Sequence, residues 1–156
     1  MATLSPLLAA QLEQWRAGGM QIVFTNGVFD VLHFGHVSLL EQARSFGDVL
    51  IVGLNSDASA RSLGTGSGRP VMDQHARSEV LLALTCVDSV ALFDEPTPLE
   101  LIRLVRPDVL VKGGDYELDQ VVGRDFVESQ GGRVELVPLV PGYSTSEIIR
   151  RIREGA

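Results

Sequence analysis

Gln21-Ile22-Val23-Phe24-Thr25-Asn26-Gly27-Val28-Phe29-Asp30-Val31-Leu32-His33-Phe34-Gly35-His36 runs from an apolar segment, through a turn, to the start of a helix. The segment over residues 21–24 is short and rich in β-branched and aromatic residues, which predicts a buried strand. Asn26-Gly27 should break it, because both residues tolerate the positive φ of a sharp turn. From Gly35 onward, Val37, Leu40, Ala43 and Arg44 recur at helical spacing. Strand, glycine turn and helix start, in that order, make a phosphate site from free backbone N–H groups and the helix dipole. His33 and His36 add two directional donors that charge near neutral pH. The competing reading has one histidine capping the helix and the other filling a gap in the core. The H-x-G-H spacing directly after strand, turn and Phe29-Asp30 favours the phosphate.

Outward from that stretch, the chain reads as alternating helices and strands. A first helix over residues 4–16 has Pro6 in its first turn and Gly18-Gly19 after it, with Leu8, Leu12 and Trp15 on one packing face. That face has two possible partners, the core or a second subunit in a homodimer. Residues 49–54 form a continuous apolar run, as in a central parallel strand, so the interval is a right-handed β-α-β unit. A short helix over 58–63, a helix over 74–85 capped by Asp73, and a strand over 89–93 follow. Next come a helix opened by the capping box Thr97-Pro98-Leu99-Glu100 and a strand over 109–111. A helix over 123–130, a strand over 133–139, and a helix over 147–153 behind the capping box Ser144-Thr145-Ser146-Glu147 complete the chain. The expected fold is a single α/β, Rossmann-like, doubly wound domain (residues 1–156). About five parallel strands are flanked by helices, with residues 1–19 as an N-terminal helix and 20–156 as the core.

At 156 residues and 45% hydrophobic, the chain can bury a proper core. Its net charge of −7 argues against a nucleic-acid or anionic-membrane surface. One cysteine, Cys86, excludes an intrachain disulfide and reads as a buried, reduced thiol in an apolar helical stretch. Without a membrane-length apolar run or a signal pattern, the expectation is a cytoplasmic protein acting on small molecules.

Three further segments fall where strands end or helices begin. Lys112-Gly113-Gly114-Asp115-Tyr116 follows a buried strand directly, setting an ammonium beside glycines that admit a ligand. Ser144-Thr145-Ser146 offers hydroxyls and N–H groups at a helix start, a second anion site. The loop over residues 64–70 is G-x-G-x-G after a helical turn, not a dinucleotide fingerprint after the first strand, and is either a connector or a substrate lid. Arg77, from its place in a helix, reads as a solvated side chain.

G-V-F-D-V-L-H-F-G-H resembles the G-x-F-D-x-x-H-x-G-H motif of the cytidylyltransferase-like HxGH nucleotidyltransferases. V-K-G-G-D-Y and G-Y-S-T-S-E-I-I-R-R-I resemble the later motifs of the heptose 1-phosphate adenylyltransferases among them, and the likeness runs over residues 23–152. The resemblance implies transfer of AMP from ATP to D-glycero-β-D-manno-heptose 1-phosphate, without a covalent enzyme intermediate. It implies Mg²⁺ held mainly by the nucleotide phosphates, with no protein metal ligand. His33, His36 and Lys112 carry over as catalytic. Asn26, Gly27, Val28, Phe29, Gly35, Gly113, Gly114, Asp115, Tyr143, Ser144, Thr145 and Ser146 join the two histidines as nucleotide contacts. Asp30, Arg61, Arg69, Arg77 and Lys112 carry over as contacts to the other substrate. Two departures stand out. The lysine that relatives carry in the loop after the short helix is absent from Leu63-Gly64-Thr65, leaving Arg61 or Arg69 as its substitute. The Arg-Thr-Glu-Gly run of many CTP users is replaced by Leu139-Val140-Pro141-Gly142. The alternatives are a glycerol 3-phosphate type cytidylyltransferase and a nucleotide-binding module without catalysis.

Overall fold

The computed structural model describes residues 1–155. Five strands form one all-parallel sheet in the order β3-β2-β1-β4-β5. They are β1 (Ile22–Gly27), β2 (Val49–Asn55), β3 (Ser89–Phe93), β4 (Val109–Gly113) and β5 (Arg133–Val137). Among the described residues, seven α-helices surround them: α1 (Pro6–Ala17), α2 (Phe34–Ser45), α3 (Asp57–Ser62), α4 (Gln74–Leu82), α5 (Leu99–Val105), α6 (Arg124–Ser129) and α7 (Thr145–Glu154). One 3₁₀ turn, Leu118–Gln120, follows β4.

Alternation along each strand sorts the core into two layers. Ile22, Phe24, Ile51 and Leu110 pack on one face with Leu8 and Leu12 of α1, Leu101 and Ile102 of α5, and Val127 of α6. Val23, Leu50, Val52, Leu54, Val109 and Val111 pack on the other with Leu40 and Ala43 of α2 and Leu81 of α4. Trp15 joins the first layer, so the apolar face of α1 is covered by the chain's own core.

The strand order reverses between β1 and β4, and these two pair only through Val23–Val109 and Phe24–Leu110. Beyond that the strands part. The Thr25 hydroxyl reaches across to the Val111 carbonyl (2.9 Å), and a crevice opens at the carboxyl edge, where open sheets of this kind bind ligands.

Four local expectations need correction. The turn after β1 is not made at Asn26-Gly27, which belong to the strand. It is made by left-handed Phe29 (φ 49°) and Val31 (φ 50°) on either side of Asp30, a strained conformation for a β-branched residue. Gly27 is needed for space instead, since a Cβ there would lie 3.0 Å from the Phe29 ring. The Thr97 capping box does not form, because Pro98 is the N-cap of α5 and no side chain caps it. At α7, the Ser144 hydroxyl does accept the Glu147 N–H (3.1 Å), but the Glu147 carboxylate turns to Arg150 and Arg151 rather than back to the cap. Finally, α4 stops at Leu82, which leaves Cys86 half-buried in the following turn with its thiol pKa raised by burial.

Candidate active site

His33 is the N-cap of α2. Its Nδ1 accepts the Gly35 N–H at 3.0 Å, and Nδ1 of His36 accepts the His33 N–H at 3.4 Å. The two rings therefore form a capping box, and they stack with centroids 3.7 Å apart. The capping reading of His33 is thus realised, and it sharpens the chemistry. A ring nitrogen that accepts an N–H carries no proton, so each neutral ring must carry its proton on Nε2. Both Nε2–H groups are left as donors for a ligand. Burial, reinforced by His33 and opposed by Asp30, pushes the His36 pKa down to about 4. Burial also lowers that of His33. Gly35 is dictated by this packing, since a Cβ would lie 2.9 Å from the His33 ring and 3.2 Å from Cβ of Tyr143.

The start of α7 meets the same spot. The Thr145 hydroxyl donates to the Asp30 carbonyl (2.7 Å), and Tyr143 meets Phe34 edge to face. Ser144-Thr145-Ser146 and His33/His36 are thereby brought together, with two helix N-termini converging on one place. Gly113 faces this side too, against Leu39 of α2.

Lys112 does not join them. It precedes Gly113 on β4 and so points to the opposite face of the sheet. There it lines a cavity of about 290 Å³ with Asn26, Asn55, Thr97, Tyr116 and Gln120. It is the chain's single lysine, its Nζ lies 5.0 Å above the Tyr116 ring centroid, and burial lowers its pKa. Among the described residues it has no carboxylate partner. A half-buried ammonium without a counter-ion, walled by carboxamides and a hydroxyl, has the chemistry to receive an anion that also carries hydroxyls. Asn55, Thr97 and Gln120 were not singled out from sequence. Only their places after strands or within loops could have marked them.

Asp30 and Arg77 differ from expectation. The Asp30 carboxylate is buried and already accepts Arg69 Nε (2.9 Å), Val71 N–H (2.8 Å) and Met72 N–H (3.0 Å). Burial would raise its pKa, but these donors outweigh it and hold the pKa below the usual value. Its acceptors are used within the fold, where they hold residues 69–72 against the turn after β1. Arg77 is 1% exposed, not solvated. It donates to the carbonyls of Met72, Val28 and Asn55 and to the Asp57 carboxylate. Those bonds tie the loop after β1 to the end of β2, and the side chain is fully buried. Arg61 is exposed at the end of α3.

Residues 24–151 match the family model described as cytidylyltransferase-like. The chain is 58% identical over 146 residues to the bifunctional protein HldE of Geobacter sulfurreducens, covering 94% of this chain and 30% of that one. It is 56% identical over 149 residues to HldE of Geotalea uraniireducens, with 96% and 30% covered. The chain thus spans about 30% of the length of these curated relatives. Among solved structures, the lipopolysaccharide core biosynthesis protein of Thermoplasma volcanium superposes with a TM-score of 0.65 at 30% identity, covering 78% of this chain and 98% of that one. Pantoate-β-alanine ligase of Francisella tularensis, 18% identical with a TM-score of 0.58 over 94% of this chain and 76% of that one, shares the fold.

Proposed function

The chain belongs to the cytidylyltransferase-like family of nucleotidyltransferases, and we propose that it transfers AMP from ATP to a sugar 1-phosphate, D-glycero-β-D-manno-heptose 1-phosphate. The observation that carries this reading is the division of one sheet edge into two compartments. The paired Nε2–H donors of His33 and His36 face one side, and the unpaired Lys112 faces the other. The end of β1 lies between them. The nucleotide triphosphate lies against the histidines and the start of α7, and the acceptor phosphate binds Lys112. Asn26, Asn55, Thr97 and Gln120 meet the sugar hydroxyls. The motifs V-K-G-G-D-Y and G-Y-S-T-S support the heptose, as does similarity to a protein of lipopolysaccharide core synthesis.

An oxygen of the acceptor phosphate bonds to the α-phosphorus as the bond from that phosphorus to its bridging oxygen breaks. The electron pair leaves with pyrophosphate. A phosphate monoester has a second pKa of about 6, so it attacks already deprotonated and needs no general base. The protein supplies positioning and donors aimed at the growing charge. Among the described residues no three His, Cys, Asp or Glu side chains gather as a metal cage. Mg²⁺, when bound, would arrive on the nucleotide phosphates and screen their charge.

Pyrophosphate release from ATP and CTP, each with heptose 1-phosphate and glycerol 3-phosphate, tests the reading. No arginine precedes Ser144 as in many CTP users, so ATP with heptose 1-phosphate should be best. The preference over CTP should be at least about 10-fold in kcat/KM, or about 1.4 kcal/mol. Equal or better use of CTP overturns the base assignment. Release with no pair overturns catalysis in favour of a nucleotide-binding module.

A further inference from the structure

The chain leaves β4 through Gly113-Gly114. Gly114 has a φ of 114°, and a Cβ there would lie 3.2 Å from the Tyr116 ring. Glycine at this position supplies both the backbone conformation and the room that set the ring in place. The ring stands beside the Lys112 ammonium, with Nζ 5.0 Å from its centroid, while 43% of the residue stays exposed. Cation–π attraction keeps the two together. An anion that reaches Lys112 therefore comes to rest next to an open aromatic surface.

The other walls of that cavity have a fixed polarity. Nδ2 of Asn55 donates to the Ser59 hydroxyl (2.9 Å), so its Oδ1 is the atom left to accept. Oε1 of Gln120 accepts the Glu117 N–H (3.2 Å), so its Nε2 is the atom left to donate. Leu63, Pro96, Val121 and Val122 line the same cavity, and their side chains offer no hydrogen bond. One cation, one donor amide and one acceptor oxygen thus share the space with apolar surface and an aromatic ring.

An open-chain polyol phosphate turns its hydroxyls in every direction, so some would lie unpaired against the apolar wall. A pyranose carries its hydroxyls around the rim and C–H bonds on its faces. Such a molecule meets the amides with its edge and an aromatic ring with its face. We propose that Tyr116 is a specificity-determining residue for the acceptor. Its ring is the platform on which a cyclic sugar phosphate lies once the phosphate is at Lys112, and it selects such sugars over open-chain polyol phosphates. This rests on the reading of the Lys112 cavity as the acceptor compartment and deepens it.

The test is calorimetric titration of heptose 1-phosphate and of glycerol 3-phosphate into the full chain without nucleotide. Tyr116→Ala should raise Kd for the heptose phosphate by about 3- to 10-fold and leave that for glycerol 3-phosphate within about 2-fold. Tyr116→Phe should keep wild-type affinity for both, because the ring face is what the sugar meets. In turnover, the acceptor KM of Tyr116→Ala should rise by the same factor with the ATP KM unchanged. Equal weakening of both ligands overturns the platform, since the ring would then act only through Lys112. Lys112→Ala separates this failure from that of the compartment. Loss of heptose phosphate binding in Lys112→Ala but not in Tyr116→Ala overturns the platform and keeps the compartment. Binding insensitive to Lys112→Ala overturns both. A chain that binds the heptose phosphate through Tyr116 yet releases no pyrophosphate keeps the platform and overturns the reaction.

Discussion

His33 and His36 stack with planes 26° from parallel, and a backbone N–H occupies Nδ1 of each ring. Two neutral rings in contact avoid the repulsion that two imidazolium ions would suffer, which agrees with the depressed pKa values on both. The free protein should therefore show two Nε2–H tautomers by ¹⁵N NMR, with His36 titrating near pH 4. A folded-state pKa below the unfolded value of about 6.5 leaves the unfolded chain binding more protons. The His36 contribution is complete above pH ~6.5 and is lost as pH falls toward 4. An Nδ1–H tautomer, or a His36 midpoint near 6.5, contradicts this arrangement.

His36→Ala removes one transition-state donor and should lower kcat by at least about 10²-fold, with the fold retained. Circular dichroism and turnover on the same preparation decide it. A folded variant with near-normal turnover refutes the role.

Lys112→Ala should raise the KM for the acceptor by about 10-fold or more, leaving that for ATP nearly unchanged, because the ammonium and the histidines occupy different compartments. As the only lysine, with a lowered pKa, Lys112 also permits a reading without turnover. Amine acylation mapped by peptide mass should be slowed by the sugar phosphate. Equal loss of ATP and acceptor binding argues against separate compartments.

Arg77→Ala should destabilise the fold by about 3–5 kcal/mol, as removal of one buried, hydrogen-bonded charge does. Three carbonyls and the Asp57 carboxylate lose their donor together. Urea denaturation measures it. A change below about 1 kcal/mol would mean that water replaces the guanidinium.

Strand positions and the start of α2 were legible because they depend on local pattern. Apolar runs mark β1 and β2, and H-x-G-H marks the start of α2. The capping serine of α7 was legible for the same reason. Arg77 and Asp30 were not. Their roles arise from partners at distant positions, which no local window contains, and the same side chains would be solvated elsewhere. The face on which Lys112 lies could have been found, since counting by twos from Leu110 puts it away from the histidines. The left-handed Phe29 and Val31 had no signal in residue type, because a bulky and a β-branched residue are poor candidates for that conformation. Tertiary packing imposes it.

Lys112 and the histidine pair stand on opposite faces of the same sheet edge, and the ends of β1 and β4 separate them. A tetrahedral phosphorus lodged at that edge is approached from one face and departed from on the other, so its three remaining substituents swing through like an umbrella in wind. With chirally labelled ATP, the product nucleotide would carry the inverted configuration at its α-phosphorus. Retention would require two successive displacements at that phosphorus, through a covalent enzyme intermediate.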